Sequence, residues 1–240
     1  VAAEGGLEAE AERIASGQAT GPESARSGSA TAEKAEAEEK DAKHSWGRLS
    51  PEANEKAVGA LKAFAENALA ELGLEERLAQ HETDHFLLYT DVAAGEAERW
   101  HNLLERMYRL LLETFRVPPE RNIWHGKCLI FIFDQRAHYL AYERAIEGVD
   151  AAGSIGMCHK QGPVVRVAFF RQPDRHSFAA VLVHEATHGF LHRYWDRHHP
   201  ALWAEEGLAE WVAYRLVPAA PARQQRRANA RAFLKQQGHA

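Results

Sequence analysis

Apolar residues recur every three or four positions through "EKAVGALKAFAENALAEL" as far as Gly73, and again through "EAERWHNLLERMYRLLLETF". That spacing predicts two helices, each with one face in a core. Ser50 followed by Pro51 marks the start of the first, and Pro118 with Pro119 closes the second. The pattern then changes. "HFLLYT" (85–90) reads as a short strand, and "KCLIFIF" (127–133) is an unbroken apolar run, as expected of a strand covered on both faces. A helix over "RAHYLAYERA", a glycine-containing link from Gly148 to Gly162 and a strand over "VVRVAFF" (164–170) follow. Strands separated by helices, succeeded by helices alone, predict an α+β domain, and no internal repeat is visible.

The ends of the chain lack this patterning. From Val1 to Ser45 there is no aromatic residue, and Val1, Leu7 and Ile14 are the only aliphatic side chains larger than alanine. Such a stretch cannot bury enough surface to offset its ordering entropy, so 1–45 reads as a disordered acidic leader, with ten acids against five bases. Residues 219–240 carry Arg223, Arg226, Arg227, Arg231 and Lys235 with no acid, and read as a basic helix or tail. Between them, 46–218 is the folded domain. It is mildly acidic, which argues against nucleic acid as a partner. No apolar run approaches the roughly 18 residues of a membrane span. The start at Val1, without an apolar signal segment, suggests a processed or trimmed protein and leaves the compartment open. Cys128 and Cys158 read as buried thiols, with a disulfide as the alternative.

The chemistry concentrates in "DRHSFAAVLVHEATHGFLHRYW". Asp174 or Ser177 can cap its start, and Phe178, Val181, Leu182 and Phe190 give it a helical apolar face. On that helix His184 and His188 are one turn apart on one face, where both can reach a zinc ion. Glu185 projects beside them, as a general base for water at the metal requires. His192 lies about 12 Å along the axis from His184 at ~1.5 Å per residue, too far to share the ion with both.

A third donor is found in "PALWAEEGLAEW". Pro200 suits the first turn of a new helix, folded back on the first by the loop before it. Glu206 and Glu210 are one turn apart there, with Ala209 and Ala213 beside them to allow close helix packing. Two carboxylates on a face of small residues make sense if Glu206 binds the metal and Glu210 accepts a hydrogen bond from the far nitrogen of a ligating histidine. Glu205 points about 100° from Glu206 on a helix and is expected to face away from the histidines.

"HEATH", seventeen residues, then "EGLAE" resembles the gluzincin branch of zinc metallopeptidases, and in particular its small bacterial peptidase-MA-like families. "HFLLYTD", "LLERMYRLLLETF" and "CLIFIFDQRAHYLAY" extend the likeness over about 84–215. The resemblance implies a single zincin-like catalytic domain: a small mixed sheet, the motif helix and a short helical C-terminal part. It implies one Zn2+ per chain on His184, His188 and Glu206, with Glu185 as base, a peptide or protein substrate, and a secreted or cell-envelope setting. It further implies that the strand before the motif helix, here "VVRVAFF", is the sheet edge that pairs with the substrate. Only 34 residues follow Glu206, fewer than the helical subdomain of larger members needs. No oxyanion-stabilising residue is assigned; Tyr194, His198, His199 and Tyr214 are the nearest in sequence. The alternative function is a non-catalytic zinc-containing module that binds peptides or serves a structural role. Structural zinc sites close with four protein ligands, whereas this pattern supplies three, which favours the enzyme.

Overall fold

A computed structural model describes residues 49–195 and 200–221; the leader (1–45), most of the basic segment (222–240), His198 and His199 lie outside the described residues. Five strands form one sheet, and its composition explains its order. Strand β2 (Phe86–Thr90), β3 (Cys128–Phe133) and β5 (Val164–Phe170) are the apolar runs, and they pair in parallel at the centre. Two more polar strands flank them, β1 (Ala79–Glu82) antiparallel to β2 and β4 (Gly156–Gln161) antiparallel to β5. The order across the sheet is β1-β2-β3-β5-β4.

Side chains alternate between the two faces of each strand, and both faces are covered. Leu88, Ile130, Ile132, Val165, Val167 and Phe169 point into one core with helix α2 (Ala94–Phe115), helix α4 (Arg175–Trp195) and helix α5 (Leu202–Leu216). Leu87, Tyr89, Leu129, Phe131, Phe133 and Ala168 point into a second core with helix α1 (Pro51–Glu71) and helix α3 (Arg136–Ala145). The mixed α and β composition and the mixed sheet agree with the sequence reading. So do the helix bounds: Ser50 accepts a hydrogen bond from Ala53 N at 3.1 Å at the start of α1, and Asp174 accepts one from Ser177 N at 2.7 Å before α4.

Three local expectations are corrected. "VVRVAFF" is not an edge, because β5 is paired on both sides, by β3 and β4. The edge is β4, within the stretch read as a link. Helix α5 begins at Leu202 with Ala201 as its cap, so Pro200 precedes the helix instead of occupying its first turn.

Helix α4 passes close beneath β4 and β5 because Gly189 has no side chain. A Cβ there would stand 2.6 Å from Val165 Cγ1 and 3.5 Å from Cys158 Sγ. Val165 is β-branched and held in the core, so it has little room to yield. The small residue therefore sets the distance between the histidine-bearing helix and the outer strand. Cys128 and Cys158 are free thiols. They lie on β3 and β4 with β5 between them, so two strand spacings of about 4.8 Å separate their backbones, beyond the reach of a disulfide.

Candidate metal centre

The two helices after the sheet bring the sequence-predicted donors together. Val212 and the small residues Ala209 and Ala213 of α5 are buried, which lets α5 pack closely against α4. On α4, His184 and His188 turn their Nε2 atoms toward each other at 3.1 Å. Glu206 on α5 completes a triangle, its Oε2 3.4 Å from His184 Nε2 and its Oε1 3.5 Å from His188 Nε2. Donors bound at about 2.0–2.2 Å to a tetrahedral ion stand about 3.3–3.5 Å from one another. The two histidine–Glu206 separations, one to each carboxylate oxygen, fall in that range, and the 3.1 Å between the histidines is slightly shorter. Among the described residues, these three form the one group of histidine, cysteine or acidic side chains able to hold a metal ion, all ligand atoms lying within 4.8 Å.

The far nitrogens of both rings also face carboxylates. His184 Nδ1 lies 3.6 Å from Glu210 Oε1, and His188 Nδ1 lies 3.3 Å from Glu205 Oε1. A carboxylate at Nδ1 holds the proton on that nitrogen and frees the Nε2 lone pair to bind. Glu210 thus stands where the sequence placed it, at ion-pair rather than hydrogen-bond distance. Glu205 does not face away: it addresses a different atom of the histidine pair, because the ring of His188 presents its two nitrogens to different parts of α5. The sequence alone does not mark Glu205 as a partner of His188.

Glu205 Oε1 also accepts a hydrogen bond from Lys160 Nζ on β4 at 3.2 Å. Burial works to raise the Glu205 carboxyl, but the Lys160 ammonium and the His188 ring outweigh it and hold it below the ordinary carboxylate range. No local signal in the sequence marks Lys160, since the contact spans 45 residues.

Glu185 is half-buried beside the triangle. Burial first, and then the Glu206 carboxylate, push its carboxyl up to about 7, against the opposing pull of Lys160 and His159 on β4. A carboxylate in that range is a proton acceptor and donor matched to neutral pH.

The remaining candidates take other positions. His192 Nε2 lies 3.2 Å from the carbonyl of Gly162, beside the end of β4. Tyr194 lies tilted against Phe115 with ring centres 4.3 Å apart, partly buried against the core that α2 and α4 share. Tyr214 is half-buried on α5. Among the described residues no helix is long and apolar enough to cross a membrane. Compared with models of known families and with curated proteins, the chain matches none.

Proposed function

We propose that this chain is a zinc-dependent peptidase of the gluzincin type, built on a zincin-like domain. The observation that carries the reading is the convergence of His184 Nε2, His188 Nε2 and the Glu206 carboxylate at separations of 3.1–3.5 Å, close to those of donors around one ion, with Glu185 half-buried beside them. Two imidazoles and one carboxylate are a donor set that suits zinc and leaves a fourth position open. A zinc ion held by His184, His188 and Glu206 would supply Lewis acidity toward water and a peptide carbonyl.

The residues of the chain do the rest. Glu185 accepts the proton of the attacking water and returns it to the departing amine nitrogen, so the peptide bond is exchanged for a carboxylic acid and an amine. Glu205, within hydrogen-bond distance of His188 Nδ1, fixes the tautomer of that ring, and the Glu210 carboxylate 3.6 Å from His184 Nδ1 favours the same tautomer by its charge. Strand β4, unpaired on its outer side among the described residues, offers backbone groups to an extended peptide. Gly156, Cys158 and Lys160 share the face of β4 that lies over α4 and α5, and Lys160 ties that strand to Glu205.

The test is removal and return of the metal. Treatment of the full chain with a chelator is expected to abolish cleavage of a mixed peptide library, and about one equivalent of zinc is expected to restore it. Cleavage that persists in chelated, zinc-free protein would sink the proposal. A chain that holds zinc tightly yet cleaves nothing would instead be the non-catalytic module.

A further inference from the structure

Strand β4 is the edge of the sheet beside the candidate centre, and adjacent residues on it reach in opposite directions. Lys160 turns to the face that carries α4 and α5, where its Nζ stands 3.2 Å from Glu205 Oε1, the carboxylate that addresses His188. His159 turns to the other face, where its Nε2 stands 2.9 Å from Glu143 Oε2 on α3. Two successive side chains thus join one strand to helices on both sides of the sheet.

Glu143 is the unusual member. It is fully buried, and among the described residues neither of its carboxylate oxygens has an aligned hydrogen-bond donor. Glu147, just past the end of α3, is provided for differently: Arg166 donates to both of its oxygens at 2.8 Å, and Tyr142 Oη donates to one of them at 2.7 Å. His159 Nδ1 stands 3.8 Å from Glu147, beyond hydrogen-bond reach, so the close contact of the ring is with Glu143, an ion pair by distance. A carboxyl group without donors is costly to bury, and the imidazole beside it is the group that offsets that cost by sharing a proton. The contact that satisfies Glu143 therefore also ties β4 to α3.

We propose that His159 and Lys160 are positioning residues that clamp β4 from both faces and hold its open edge at a fixed distance from the donor triangle, ready to pair with an extended peptide. This rests on the peptidase reading and specifies its substrate as a segment recognised along its backbone. β4 pairs with a neighbour on one side only, and an edge strand anchored by one ladder alone opens readily. The two side chains supply the further anchors. Through Lys160, Glu205 and His188, contacts of 3.2 and 3.3 Å lead from the strand to a metal donor, so a shift of β4 changes where a paired peptide lies relative to the centre.

The test is hydrogen exchange on the full zinc-loaded chain, with kinetics on a long unstructured peptide that the parent cleaves. Lys160→Met keeps the bulk of a side chain that is 31% exposed and removes its charge, so it should fold as the parent does. In it the amides of Gly156–Gln161 are expected to exchange about tenfold faster, with those of α1 and α2 unchanged, and KM to rise by about tenfold at nearly constant kcat. Lys160→Arg should restore both. His159→Ala is expected to loosen the same amides, and His159→Gln, whose amide can still donate to Glu143, to recover part of the loss. If His159→Ala does not fold, Lys160→Met and its arginine control decide. Unchanged exchange in β4, exchange that rises throughout the domain, or a KM that does not follow the exchange overturns the proposal while leaving the peptidase reading intact. So does a KM that returns to the parent value on adding zinc, since Lys160 would then act on metal affinity alone. If the parent cleaves no peptide, the peptidase reading falls and exchange alone judges the clamp: a rise confined to β4 keeps it, and any other result removes it.

Discussion

In Glu185→Gln, zinc is expected to remain at about one per chain while peptide hydrolysis falls by about 10²- to 10⁴-fold, or ~3–5 kcal/mol of barrier. The reasoning is positional. Glu185 follows His184 directly in the chain, yet the triangle is closed by His184, His188 and Glu206. Glutamine keeps the size and hydrogen-bonding capacity of the side chain and removes its basicity. Its loss should therefore appear in kcat, with zinc affinity nearly unchanged. Steady-state kinetics alongside elemental analysis separates the two. A variant that cleaves as fast as the parent would show that Glu185 is not the base. A variant that loses its zinc would show that it is a ligand.

Glu206→Gln is expected to produce the largest change in metal affinity among the acidic residues, on the order of 10³-fold, since one of three anchoring ligands is replaced by a neutral amide. Glu205→Gln and Glu210→Gln act only through the far nitrogens of His188 and His184 and should cost at most about 10- to 100-fold. Glutamine retains an oxygen acceptor at those positions, so the lower end of that range is expected. Competition against a chromophoric chelator measures all three on one scale. If Glu205→Gln weakens zinc binding as much as Glu206→Gln does, the ligand is wrongly assigned between the neighbours.

These neighbours also show where reading the sequence stops. The histidine pair was legible because helical periodicity alone puts residues four apart on one face. Glu206 was legible because it recurs with Glu210 beside small residues. Glu205 was not, since a 100° step along one helix says nothing about where a ring on another helix directs its second nitrogen. The sheet divides in the same way. The central runs "FLLYT", "CLIFIF" and "VVRVAFF" announce themselves because parallel strands buried on both faces carry near-continuous apolar sequence, interrupted here only by Thr90 and Arg166. The flanking strands "AQHE" and "GMCHKQ" do not, because each pairs on one side only and keeps exposed polar residues. Their strand character comes from the neighbour they pair with. The resemblance puts the edge at the strand directly before the motif helix, but β4, whose sequence reads as a link, pairs with β5 and takes that place.

The most direct test of the central claim is X-ray absorption at the zinc edge on the purified full chain, with the zinc content measured on the same sample. The account predicts about one zinc per chain with nitrogen and oxygen neighbours at about 2.0–2.2 Å, including two imidazoles, and no sulfur neighbour. A folded chain that takes up no zinc above background, or a zinc ion with sulfur at about 2.3 Å, would contradict it.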